Sequence, residues 1–162
     1  MADHDRVDHA FSHFDLRSRT SYGDFLTAQA RALAALEPVV SPAVPRLPLL
    51  ARDLAALDRR WPDALPSPDP ASDAFRWGLR YALEGSRLGG AMLARRVGEG
   101  LPKAFLSAAH GKGEWAAFQL ALDDAAAGGG EGWRQDAVQG VRAAFALFHE
   151  AAAGDVTVTI HG

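Results

Sequence analysis

The sequence predicts an all-α domain, on three observations. Apolar residues recur at three and four positions along almost the whole chain, which is the period of one helix face. Prolines and glycines gather in a few short clusters between those stretches and punctuate them. The chain has 162 residues, 48% hydrophobic and 23% charged, which suits one ordinary core rather than a disordered polymer.

Val7, Phe11 and Phe14 set a first short helix that begins almost at Met1. Ser21 is placed to cap a second, which turns Tyr22, Phe25, Leu26, Leu33 and Leu36 inward and stops at Pro42 and Pro45. Leu47, Leu50, Leu54, Leu57 and Trp61 mark a third, closed by Pro62. The segment PDALPSPDPAS, residues 62–72, holds four prolines and reads as a loop. Ser72 or Asp73 then caps a glycine-bearing helix that runs to about Gly98 or Gly100.

A short amphipathic piece at 104–109 leads to the break Gly111–Lys112–Gly113. The next helix runs from Glu114 to about Ala127 and stops at Gly128, Gly129 and Gly130. The last, Trp133 to Ala153, carries Val138, Val141, Ala144, Phe145 and Phe148 on one face. The tail DVTVTIHG alternates as a strand does but has no partner strand. It is read as an accessory C-terminus, residues 155–162, beside a domain of residues 1–154. No repeat period is visible.

Composition excludes several function classes. A net charge of −3 gives no electrostatic reason to bind nucleic acid or an anionic membrane. The absence of cysteine removes disulfides, thiolate nucleophiles, Cys-ligated zinc and Fe–S clusters together, and fits a reducing compartment. MADHDRVDHAF is too polar for a secretory signal, and no apolar run approaches the ~20 residues that span a bilayer. The expectation is a soluble cytoplasmic protein.

The segment YALEGSRLGGAML, residues 81–93, poses the main question. A glycine inside a helix costs roughly 1 kcal/mol against alanine, yet Gly85, Gly89 and Gly90 stand here, with Gly78 upstream. At about 100° per residue, Gly78, Ala82, Gly85 and Gly89 share a sector of roughly 60°. Arg76, Arg80, Glu84 and Arg87 point broadly away from it, toward solvent. A stripe of small residues admits either the backbone of another helix or a flat ligand. Spacing does not choose between them.

Other candidate chemistry is thin. His9 and His13 are four residues apart but lack a third ligand, and HExxH is absent. HGKGE lacks the spacing and the preceding strand of a phosphate loop. Ser86 is not in a G-x-S-x-G elbow, and Asp123 and Asp124 read as solvated surface. His4 extends the apolar stripe of Val7, Phe11 and Phe14, with Asp8 one turn along to hold its ring. The plainer reading of His4 is a frayed terminal side chain.

Taken together, DHDRVDHAF (3–11), SYGDFLTAQARALAALE (21–37), YALEGSRLGGAML (81–93) and WRQDAVQGVRAAFALF (133–148) resemble bacterial heme oxygenases, including those associated with bacteriophytochromes. The resemblance spans about residues 3 to 150, and E-G-S-x-L-G-G is its most specific piece. It implies a heme oxygenase-like multi-helix bundle, with heme between a proximal N-terminal helix and a kinked, glycine-rich distal helix. His4 matches the histidine that ligates the heme iron. Gly85 and Gly89 match the close-approach positions of the distal helix, with Gly90 beside them. Tyr81 matches a tyrosine whose hydroxyl reaches a heme propionate, and Arg142 matches a basic position near the propionates.

The implied activity is cleavage of heme to biliverdin, CO and ferrous iron with O₂ and reducing electrons. An electron donor such as a ferredoxin or a reductase, and a bacteriophytochrome receiving biliverdin, are the implied partners. Ser86 stands where animal members carry an aspartate that organises distal water, so ordered water and backbone take over the proton relay. Gly85, Ser86 and Gly89 are therefore the catalytic candidates. Against the family pattern the N-terminal helix reads as truncated ahead of His4. The alternative is accordingly a heme- or bilin-binding regulatory protein on the same fold with little turnover.

Overall fold

The computed structural model describes residues 11–161, with side chains to residue 154. Its helices are α1 (Arg19–Val40), α2 (Leu47–Ala56), α3 (Asp73–Ser86), α4 (Gly90–Ala94), α5 (Glu114–Ala126) and α6 (Gly130–His161). Among the described residues there is no strand, and the all-α expectation holds. The helix built on Val7, Phe11 and Phe14 lies largely outside the described residues. No helix in the described part is long and apolar enough to cross a membrane.

The central helix is α1, and its composition explains why. Ala28, Ala30, Ala32 and Ala35 are fully buried beside Leu26, Leu33 and Leu36, so small side chains let neighbours close in around most of its circumference. It packs against α2, α3 and α6, while α3 lies along α6 over most of its length. Ser18, not Ser21, caps α1: the Ser21 N–H donates to Ser18 Oγ at 3.3 Å. Ser21 instead accepts from the Asp15 N–H through its own hydroxyl at 2.7 Å, tying the preceding turn to the helix start. Pro38 is accommodated near the C-terminus, and the helix ends at Ser41 in the left-handed region, before Pro42.

The third expected helix is shorter than its apolar spacing. After Leu57 the chain turns through Asp58 at φ 57°, and Trp61 lies outside the helix, 46% exposed. Ser72 caps α3 by accepting from the Phe75 N–H at 3.0 Å. The larger correction concerns the glycine helix, which does not run unbroken to Gly98. It stops at Ser86, turns, and resumes for only five residues from Gly90. Glycine there offers no side-chain packing to hold a helix together, and Arg87 ties the turn to the following loop by donating to two of its carbonyls. The alternation of DVTVTIHG is not realised either: the backbone of 155–161 continues α6, which satisfies its own hydrogen bonds where a lone strand has no partner.

Candidate cavity beside the glycine turn

The glycine stripe divides into two parts with different neighbours. A Cβ on Gly78 would strike the Ala137 carbonyl and lie 2.8 Å from the Val141 nitrogen. Gly140 on α6 reciprocates, since its Cβ would strike the Phe75 carbonyl. This half of the stripe is helix-to-helix packing. Among the described residues Gly89 has nothing within 4 Å of the same position, and Gly85 meets only the edge of Trp115 at 3.9 Å. That half opens onto space.

The space is a cavity of about 370 Å³, within the ordinary range of ligand pockets. One wall is the α3–α4 turn, with Tyr81, Ala82, Gly85, Ser86, Gly89 and Gly90. Phe25 and Gln29 of α1 and Phe145 and Phe148 of α6 line it from the bundle, with Phe11 from the N-terminal side. Phe105, Leu106 and Ala108 form a further part of the lining from the loop between α4 and α5. The character is apolar and aromatic, with polar groups concentrated near Ser86.

That loop is held at both ends. Asp53, 2% exposed, accepts from the N–H groups of Ala104 at 3.1 Å and Phe105 at 2.9 Å. The Tyr22 hydroxyl donates to the Pro102 carbonyl at 2.7 Å, and burial together with the Asp53 charge pushes its pKa up. At the other end Arg87 donates to the carbonyls of Ala108 and Ala109, both at 3.1 Å, while its Nη1 lies 3.4 Å from Glu84. His110 Nε2 meets the Glu84 carbonyl at 2.8 Å, giving the end of α3 a side-chain partner. Leu106 seats its carbonyl against Gly90, 2.7 Å from where a Cβ would be.

Arg46 is the unexpected member of the site. It lines the cavity yet is only 5% exposed. Its Nη2 donates to Ser86 Oγ at 2.7 Å and to the Leu83 carbonyl at 3.1 Å, and its guanidinium lies 5.0 Å from the Phe105 ring centre. Its backbone N–H donates to Glu37 Oε1 at 2.6 Å. Burial, and then the nearby Arg87 charge, lower the Arg46 pKa to about 10, which keeps the group cationic at neutral pH. Burial also raises the Glu37 carboxyl above its ordinary value. Ser86 Oγ in turn donates to the Leu83 carbonyl at 2.6 Å, so the hydroxyl is fixed rather than free to rotate.

Of the residues singled out in the sequence, the structure brings Tyr81, Gly85, Ser86, Gly89 and Gly90 to one wall. Tyr81 is 40% exposed at that wall and packs its ring 5.9 Å from Trp115. Arg142 is on the exposed side of α6 and does not line the cavity. His4 lies outside the described residues. Glu84 and Arg87 do not face solvent as a continuous helix would require: their side chains are 12% and 7% exposed. The break after Ser86 and the covering loop bury them. Sequence reasoning missed Arg46, although an arginine set among apolar residues and prolines in AVPRLPLL is a visible anomaly.

No family model matches the chain. A protein named heme oxygenase from Xanthomonas campestris pv. campestris (strain 8004) is 36% identical over 116 residues, covering 68% of this chain and 68% of that relative. With that identity and coverage, and with α-helices and no strands among its described residues, the chain belongs to the heme oxygenase family.

Proposed function

We propose that the chain degrades heme to biliverdin, CO and ferrous iron, using O₂ and electrons from a donor such as a ferredoxin or a reductase. The observation that carries this reading is the open half of the glycine stripe. Gly85 and Gly89 present bare backbone to an apolar cavity, while Gly78, on the same stripe, is filled by α6. Packing alone has no use for glycines where nothing packs. A flat porphyrin does, because only backbone without side chains lets a macrocycle approach a helix closely.

Heme, when bound, supplies the oxygen chemistry itself. The residues of this chain position it and manage protons. Phe25, Phe145 and Phe148 offer apolar surface to the ring from the bundle side, and Gly85 and Gly89 offer backbone from the other, with Gly90 beside them packed on the Leu106 carbonyl. Tyr81 is assigned to a propionate at the rim, and Arg142 to a propionate beyond it. His4 is assigned to the iron. Ser86 Oγ accepts from Arg46 and donates to Leu83, so it presents a fixed oxygen to a water at the cavity wall. A bacteriophytochrome in the same cytoplasm is the proposed recipient of the product.

Hemin titration tests the binding half of this reading. A sharpened Soret band that saturates at one equivalent is expected, with an altered ligation spectrum in His4→Ala. Absence of any Soret change on adding hemin would sink the reading, and an unchanged His4→Ala spectrum removes His4 from the iron.

A further inference from the structure

We infer that Arg46 is the anion-receiving group of this cavity, its free Nε and Nη1 taking an oxyanion of whatever fills the space beside Gly85 and Gly89. A buried guanidinium is ordinarily paired with a carboxylate and has its donors satisfied. Among the described residues no carboxylate lies within ion-pair distance of the Arg46 guanidinium, and its Nε and Nη1 make no hydrogen bond; they are not sealed in the interior but belong to a side chain that lines the cavity. Among the described residues its side-chain hydrogen bonds all come from Nη2, to Ser86 Oγ and the Leu83 carbonyl, and the carboxylates that act on its charge, Glu37 and Glu84, stand beyond ion-pair distance. Glu37 is engaged by the Arg46 backbone N–H.

Arg87, on the same wall, is the contrast. Each of its three nitrogens is engaged, Nε and Nη2 by Ala108 and Ala109 and Nη1 by Glu84, so its charge is already paired and its geometry is set by the loop it fastens. Phe105 covers one side of the Arg46 guanidinium, which keeps water from that face and strengthens any charge-assisted bond made at its edge.

If the ligand is heme, the inference rests on the function proposed above, and the oxyanion has two sources. It is a carboxylate of the porphyrin, or a separate small anion seated beside it. The test therefore uses three pairs of probes on wild type, Arg46→Gln and Arg46→Lys. Hemin against its dimethyl ester reads the carboxylate. Azide against imidazole, added to hemin-loaded protein, reads a separate anion. Anilinonaphthalene sulfonate against neutral N-phenyl-1-naphthylamine, displaceable by ligand, reads the cavity without heme.

The charged dye is expected to bind wild type and Arg46→Lys about tenfold or more tightly than the neutral one, and Arg46→Gln to lose that preference. Loss of the hemin-to-ester ratio in Arg46→Gln assigns the carboxylate; loss of the azide-to-imidazole ratio assigns the separate anion. Equal dye affinities in wild type, or a preference that survives in folded Arg46→Gln, overturn the inference whatever hemin does. Arg46-dependent dye selectivity without hemin binding upholds it and defeats the heme reading instead. Should Arg46→Gln fail to fold, the wild-type dye ratio decides alone, a value near one being the contrary result.

Discussion

Gly78 on α3 and Gly140 on α6 meet backbone to backbone, each lacking the Cβ that the other helix leaves no room for: the Gly140 Cβ position is 3.1 Å from the Gly78 Cα. This contact sets how closely α3 approaches α6, and so where the glycine turn stands relative to Phe145 and Phe148. Its obstacles are backbone carbonyls, which do not yield as a flexible side chain does. Gly78→Ala is therefore expected to destabilise by about 1–3 kcal/mol, as overpacking does, and to lower Tm by several degrees. Calorimetry or thermal circular dichroism reads it. A stability equal to wild type would show that the helices are not in this contact.

Gly89 predicts the opposite separation of effects. No described residue lies within 4 Å of its Cβ position and its backbone is in the right-handed helical region, so Gly89→Ala is expected to hold or slightly raise stability. Gly89→Phe fills the cavity instead, and hemin affinity should fall at least tenfold while Tm stays near wild type. Undiminished hemin binding by a folded Gly89→Phe protein removes this wall from the site.

This contrast marks how far the sequence was legible. Helical spacing located α1, α2, α3, α5 and most of α6, and the wheel grouped Gly78, Ala82 and Gly85, which do share α3. It failed where it assumed continuity. Extending α3 past Ser86 aimed Glu84 and Arg87 at solvent, whereas the break and the 104–110 loop enclose them. Turns of that kind are fixed by long-range partners such as Ala108 and Asp53, which local periodicity does not encode. Arg46 escaped for the same reason, since its partners on α3 lie about forty residues on, at Leu83 and Ser86.

Asp53 is expected to control the cavity lining from a distance. Its carboxylate fixes the N–H groups of Ala104 and Phe105, and Asn offers one acceptor where two are needed. Asp53→Asn should cost about 1–3 kcal/mol. Hydrogen exchange should accelerate at residues 104 and 105 more than at α1 amides. Uniform exchange across the protein would contradict a local anchoring role.

Removing the Arg87 side chain takes from the Glu84 carboxylate, 12% exposed, its permanently charged partner and leaves only the His110 ring 3.7 Å away. Arg87→Met should therefore destabilise by about 3 kcal/mol or more, with Glu84→Gln in the same chain recovering part of the loss. Additive losses in the double variant would show that the two residues act independently.

Glu37 gives a pH dependence of defined sign. Its folded carboxyl holds its proton to higher pH than the ordinary 4.5, chiefly because it is buried. The stability this contributes is present below about 4.5 and lost as pH rises through the folded value. Wild type should therefore lose stability relative to Glu37→Gln as pH climbs from 4 toward neutrality. Denaturant titrations at several pH values measure the difference; a constant gap, or one that moves the other way, contradicts the assignment.

The central claim is that the cavity beside Gly85 and Gly89 is where heme is destroyed. It is tested most directly by adding a reductant in air to protein loaded with one equivalent of hemin and following the spectrum. The account predicts that the Soret band decays, that absorbance typical of biliverdin grows toward the red, and that CO is released. A stable ferrous or oxygenated spectrum with an undiminished Soret band would contradict it.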